Sequence, residues 1–362
     1  MAKAQREKES PHQKSELSMS YRFILLFLSA TACFSINLKA QDPQFSQFYA
    51  APLFLNPAFT GATPSARVGT IIRDQWPAIK DASFISSSTY FDYFFDEYNS
   101  GLGAVFNVDR QGAIGPVSTE MILNYAYQIR LSETLTLRPG ASIGLAIEHI
   151  NFNKLIFPDD QNELVGDNQT KVYPDLSLGG LLYSTNFWVG ISAFHLNTPN
   201  QAFLEITPDS INTRLPIKFS IHGGYRIPLY MPGSNRPGFN RFGKERSISP
   251  AFLYKRQGKF SSMELGVYTT LEPIVVGLWY RGTPGGLSPD DSLEEQFLKN
   301  DAIIFLLGIK VKNLKIGYSY DYTISNLQIP SGGAHEVSVT YEFQLGKKLP
   351  PRNVRQIPCP SF

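Results

Sequence analysis

The chain has 362 residues, 43% hydrophobic and 18% charged, with a formal net charge of +2 and two cysteines. Residues 1–40 hold six Lys or Arg and three Asp or Glu, so the remaining chain has 27 basic and 28 acidic side chains, net −1, and no basic excess argues for nucleic acid. Beyond residue 40 the longest apolar run is the six residues from Ala302 to Leu307, far short of a membrane-crossing helix, and the lone Cys359 excludes an internal disulfide.

The first element is the run YRFILLFLSATACFSINLKAQ. Arg22 precedes an apolar core from Phe23 to about Phe34, and small or polar residues lead to Ala40, which is the anatomy of a secretory signal peptide. Met19 reads as the translation start and Gln41 as the first mature residue. A competing cleavage site precedes Cys33, where Ala30, Thr31 and Ala32 faintly match a lipoprotein signal. Residues 1–40 are expected to carry no fold.

The second element, QDPQFSQFYAAPLFLNPAFTGA, starts at Gln41. Asp42 followed by Pro43 reads as a helix N-cap with proline at the first helical position. Phe45, Phe48, Tyr49 and Pro52 then share one face of a short helix, and Asn56, Pro57 and Gly61 turn the chain. Pro43, Pro52 and Pro57 keep this apolar segment out of a sheet.

From residue 62 the pattern has period two. Between Val117 and Leu131 the odd positions are Val, Thr, Met, Leu, Tyr, Tyr, Ile and Leu, and the even ones are polar or small apart from Ile122. Val337, Val339, Tyr341, Phe343 and Leu345 alternate with Glu336, Ser338, Thr340, Glu342 and Gln344, and Leu314 to Tyr322 repeat the rule. Such alternation marks half-buried strands. With turn residues as boundaries, strands are expected over 66–76, 82–95, 100–110, 116–131, 134–152, 173–184, 187–196, 215–228, 247–257, 260–271, 274–282, 301–311, 313–323 and 334–345.

This count and these lengths predict an all-β fold: a transmembrane antiparallel up-and-down β-barrel of about 14 strands over residues 62–345, preceded by the helical plug segment 41–61 and followed by a tail over 346–362. Two features favour lipid over water on the apolar side. Aromatics cluster near strand ends, at Tyr90 to Phe95, Tyr125, Tyr127 and Tyr318 to Tyr322, where interfacial girdles belong. Tight connections also alternate with long ones such as NKLIFPDDQNELVGDNQTK and NTPNQAFLEITPDSINTR, which sorts short turns to one rim and long loops to the other. The plug should bury itself against the lumen wall or the periplasmic mouth, making Phe45, Phe48, Tyr49, Asn56 and Pro57 its contact residues. One long connection falls on the short-turn rim, and its Arg236, Arg241, Lys244 and Arg246 form a candidate periplasmic docking surface.

The segment QDPQFSQFYAAPLFLNPAFTGA also resembles the opening signature of the PorP/SprF family, outer-membrane components of the type IX secretion system of Bacteroidetes. LGVYTTLEPIVVGLWYRGTP, IGYSYDYTIS, GGAHEVSVTYEF and the terminal IPCPSF are similar to further family motifs, with Ser361 standing where the family pattern has Arg. The resemblance implies an outer-membrane barrel that works with periplasmic and outer-membrane secretion components, and that exports or anchors particular cargo such as the adhesins of gliding motility.

Chemistry is sparse. His149, His195, His222 and His335 lack metal-ligand spacing and read as rim or lumen residues. GLGAV at Gly101 lacks the third glycine of a dinucleotide site. The acidic run from Asp159 to Asp167 lacks the glycine and spacing of an EF-hand loop. No catalytic residue, metal or cofactor is expected, and the partners expected are secretion components, cargo and outer-membrane lipid. A small-solute channel lined by Glu120, Arg130, Glu148 and Asp321 is the alternative, and a lipid-cleaving barrel lacks a paired Ser and His motif.

Overall fold

The computed structural model describes residues 42–79, 83–112, 115–151, 168–203, 213–230, 237–240, 242–284, 298–324, 331–345 and 357–359. Fourteen long antiparallel strands form one sheet. They are β1 (Ala66–Gln75), β2 (Phe84–Phe95), β3 (Ser100–Gln111), β4 (Val117–Tyr127), β5 (Thr136–Asn151), β6 (Asn168–Tyr183) and β7 (Phe187–Phe194), then β8 (Lys218–Tyr225), β9 (Arg246–Gln257), β10 (Phe260–Leu271), β11 (Ile274–Pro284), β12 (Leu298–Val311), β13 (Leu314–Thr323) and β14 (Ala334–Phe343). Each strand pairs with its sequence neighbours, and β1 pairs with β14 from Ala66↔Phe343 to Gln75↔Ala334, so the sheet has no free edge. In hydrocarbon an unpaired backbone group costs several kcal/mol, and closure is the only way for a sheet to avoid that cost.

The period-two pattern sorts onto two faces. Met121, Leu123, Tyr125 and Tyr127 of β4 point outward, as do Val337, Val339 and Tyr341 of β14 and Ile316, Tyr318 and Tyr322 of β13. On the opposite faces Asn124, Glu336, Ser338, Lys315, Ser319 and Asp321 are buried. Leu123 is 65% exposed and Glu336 0%, the reverse of a water-soluble protein, so the outer wall is built for acyl chains. No described helix is long and apolar enough to cross a membrane; the strands do the crossing.

The strand positions follow the sequence reading with local differences. The expected strand 116–131 is interrupted at Gln128, whose side chain turns inward to Arg138 before Ile129 and Arg130 resume pairing with β5. The expected strand 215–228 begins at Lys218, and Ile227–Pro228 continue beyond Tyr225 as a short extra pairing with β9. The expected strand 187–196 ends at Phe194, because His195 takes a positive φ of 58° and leaves the sheet. β6 and β12 each begin several residues earlier than the alternation marks. The aromatic cluster of β2 splits between faces: Phe91 and Phe95 point outward, but Tyr90 and Phe94 are buried in the lumen.

Tight turns lie on the rim shared by Ala66 and Phe343, at residues 96–99, 131–135, 184–186, 272–273 and 312–313. Asn99 closes the first of these with φ 50°, a left-handed position that asparagine tolerates. The connection from β8 to β9 is long yet lies on this same rim. At the opposite rim β1, β3, β5, β7, β9, β11 and β13 end and the strand that follows each begins; the described residues there include one tight turn, at 258–259.

Candidate functional site in the barrel lumen

Residues 42–61 run through the inside of the barrel. Only Pro52–Leu55 forms an α-helical turn, followed by a 3-10 turn at Pro57–Phe59, so the helix expected from Asp42 onward is absent. The physical reason is competition for backbone donors. A helix would point the N–H groups of residues 46 and 47 along its own axis, whereas Glu336 takes both, from Ser46 at 2.7 Å and from Gln47 at 2.9 Å. Asp42 caps no helix. Its carboxylate accepts from the Lys218 ammonium, from His195 Nε2 at 2.8 Å and from Gln257 Nε2 at 2.9 Å.

The polar wall around Ser46 is a ladder of alternating charge. Arg73 pairs with Glu336 and lies 2.9 Å from Asp321. Arg281 is 2.9 Å from the same Asp321 oxygen and 3.4 Å from Glu264, which also meets Lys255 at 3.3 Å. Ser46 Oγ donates to Asp321 at 2.6 Å, and Gln44 Nε2 donates to Glu264 at 2.8 Å. Charges this deeply buried persist because each lies against at least one opposite charge.

Below the ladder the contacts become aromatic. Phe45, Phe48 and Tyr49 are all buried. Phe48 meets the Trp279 ring edge-on at 4.9 Å, and Tyr49 accepts from Trp188 Nε1 at 2.7 Å while packing on Tyr268 and Phe59. Burial holds the Tyr49 phenol well above its ordinary range. Asn56 and Pro57 are buried too: Asn56 Nδ2 donates to the Gly180 and Ile191 carbonyls at 3.1 and 2.9 Å, and its Oδ1 caps Ala58 N. Arg138 reaches the carbonyls of Ala58 and Thr60, and Gly61 N donates to Asp92, which Arg67 holds through two bonds of 2.9 Å.

Glycines let the segment lie directly on the wall. A Cβ at Gly140 would stand 2.5 Å from Ala58 N, and one at Gly101 only 2.1 Å from Thr60 O. The apolar wall residues Tyr90 and Val105 pack with Leu53, and Ile122, the one break in its strand's polar face, joins them. From the tail, Ile357 and Cys359 return to the cluster of Phe48 and Tyr49, where burial pushes the Cys359 thiol up to about 12.

At the far end, His195 sits between two carboxylates, with Nδ1 2.9 Å from Asp175. Burial opposes its protonation, but Asp42 and the hydrogen bonds to Asp175 and Asp42 outweigh it and raise the imidazole to about 10. Burial likewise works against the Asp42 carboxylate, but His195 and Lys218 hold it well below the usual range.

The other sequence candidates are scattered. Asp321 is enclosed in the charge ladder, Glu120 bonds Asn107 and Glu148 bonds Tyr173 and Gln201, whereas Arg130 is exposed beside a tight turn. Lys244 is exposed and Arg246 half-buried at the start of β9; Arg236 and Arg241 lie outside the described residues, as does the acidic run from Asp159 to Asp167. His222 is enclosed beside Asn56, and no metal-holding cluster occurs among the described residues. The carboxylate socket of His195, Lys218 and Gln257 escapes sequence reasoning, because its three members lie on separate strands or loops and carry no local motif.

A closed barrel with a lipid-facing exterior and a polar, charge-paired interior defines an outer-membrane β-barrel protein. Residues 37–341 match the sequence profile described as type IX secretion system membrane protein PorP/SprF. The chain belongs to this family. Among solved structures it is similar to the outer membrane protein Omp33 of Acinetobacter baumannii, at 8% identity and TM-score 0.39 over 79% of this chain and 100% of that one. It is also similar to the KdgM porin, at 10% identity and TM-score 0.32 over 76% and 99% of the two chains. A mutant of the Rh. blastica porin follows, at 9% identity and TM-score 0.31 over 77% and 99%. No curated protein matches the sequence.

Proposed function

We propose that this barrel is a non-enzymatic component of the type IX secretion system that links the periplasmic machinery to the export or surface anchoring of specific cargo, such as adhesins, and that residues 42–61 plug its lumen. The observation that carries this reading is the grip of Glu336 on the backbone of Ser46 and Gln47, inside a ladder of buried ion pairs. A small-solute channel needs an open, solvated path, and a segment fixed by buried charges along the lumen opposes one. Membership of the PorP/SprF family supplies the secretion context.

In this reading the tight-turn rim faces the periplasm, and Lys244 and Arg246, together with Arg236 and Arg241, meet an acidic secretion component there. The test is copurification from native membranes after gentle solubilisation. Recovery of periplasmic secretion components with the wild type, and their loss when Arg236, Arg241, Lys244 and Arg246 are all replaced by Glu, is the expected result. A barrel recovered alone from membranes in which those components are present contradicts it.

A further inference from the structure

Residues 42–61 span the lumen from one rim to the other. Asp42 meets Lys218, His195 and Gln257, all at the ends of β7, β8 and β9 nearest the long loops. Gly61 meets Asp92 near the tight-turn end of β2. The segment therefore lies with its N-terminal end at the long-loop rim, and the barrel closes around it, with Ile357 and Cys359 of the tail packed against its aromatic cluster.

Part of the grip falls on main chain, beside the side-chain bonds made by Asp42, Gln44, Ser46, Gln47 and Asn56. Gln257 Oε1 accepts from Asp42 N at 3.1 Å, Glu336 takes two successive N–H groups, Ser192 donates to the Leu55 carbonyl at 2.9 Å, and Arg138 donates to two further carbonyls. Such contacts hold any chain of the right course. Side chains are recognised in two sockets, the carboxylate socket of His195, Lys218 and Gln257 and the aromatic socket of Trp188, Tyr268 and Trp279, and at the wall groups that meet Gln44, Gln47 and Asn56. The wall also offers more than the segment uses. Glu264 Oε2, Asp321 Oδ1 and His222 Nδ1 are buried on it with no hydrogen-bond partner among the described residues.

We propose that the lumen is a binding site for one extended peptide segment supplied by another protein, and that residues 42–61 are its resident, replaceable occupant. The ligand class is a segment with a carboxylate at its long-loop end and an aromatic pair at the spacing of Phe48 and Tyr49 from Asp42, read in the same direction. The proposal rests on the secretion reading for one point alone, that the donor is an exported client of the system.

The experiment uses the full chain, folded in detergent, with a protease site inserted at the exposed Pro64 and cut after folding. A fluorescent synthetic peptide of residues 42–61 is expected to exchange into the nicked barrel saturably, with at least tenfold weaker binding when the peptide carries Asp42→Ala and no binding when its sequence is scrambled. As a second measurement, an excess of the unlabelled peptide added to the uncut wild-type chain is expected to expose its own residues 42–61 to proteolysis. A nicked segment that never leaves, with no added cleavage of the uncut chain, overturns the proposal. Exchange in vitro alongside a barrel that recovers no secretion component keeps the peptide site and removes only the exported client as its donor.

Discussion

Arg73 of β1 stands directly opposite Glu336 of β14, and the two are ion-paired across the seam where the first strand meets the last. The same Glu336 carboxylate holds the backbone of Ser46 and Gln47. One side chain therefore fastens both the closure of the barrel and the segment inside it. Glu336→Ala leaves Arg73 sharing Asp321 with Arg281, and breaking a buried pair in this way costs about 3–5 kcal/mol. The expected outcome is a lower unfolding midpoint in urea together with faster proteolysis of residues 42–61. A lower midpoint with unchanged proteolysis assigns Glu336 to the seam alone.

The close approach at Gly140 gives a test that leaves every charge in place. Gly140→Val puts a branched side chain where Ala58 N already stands 2.5 Å from the Cβ position. Overpacking of this kind costs roughly 1–3 kcal/mol or more, and here it falls on the segment rather than on a lipid contact. The variant is expected to insert into vesicles as well as wild type and to leave residues 42–61 open to protease. Wild-type protection contradicts the placement of Ala58 against β5.

The carboxylate socket predicts a dependence on pH. His195 is raised in the folded state, so its contribution is complete below its unfolded value near 6.5 and is lost as pH climbs toward about 10. Asp42 is lowered, so its contribution is present above its unfolded value near 3.9 and is lost as pH falls through its depressed folded value. Asp175 and Lys218 also face the imidazole. Protection of residues 42–61 should therefore be greatest between about pH 4 and pH 6.5 and should decline from pH 7 to pH 10. Protease footprinting across that range measures it, and His195→Gln is expected to remove the alkaline decline.

The outer wall makes a separate prediction. Leu123→Arg places a guanidinium on the lipid face, at a cost of about 2–4 kcal/mol near the bilayer midplane that shrinks toward the interfaces. Asn124→Ser, one residue away on the lumen face, should change folding into vesicles by far less. Equal effects from the two substitutions contradict the assignment of faces on β4.

The barrel was legible because its determinant is local. Side chains alternate every residue, and Met121, Leu123 and Tyr125 advertise a greasy face whatever lies elsewhere in the chain. The breaks in that pattern carry the information about the lumen: Ile122 is apolar on an inward face because Leu53 packs there. The conformation of residues 42–51 was not legible. The spacing of Phe45, Phe48 and Tyr49 fits a helix, but the acceptor that undoes it, Glu336, lies 290 positions away from Ser46. Nor does any local pattern show that His195, Lys218 and Gln257 converge on one carboxylate. Local periodicity reports which way a side chain points, and the closed ring decides what it meets.

The most direct measurement is the conductance of the purified protein in planar bilayers, taken for the full chain and for the chain nicked at Pro64 and freed of residues 42–61. A full chain that stays silent and a nicked chain that opens steadily is the predicted pair of results. Equal, steady conductance from both contradicts a lumen filled by its own N-terminal segment.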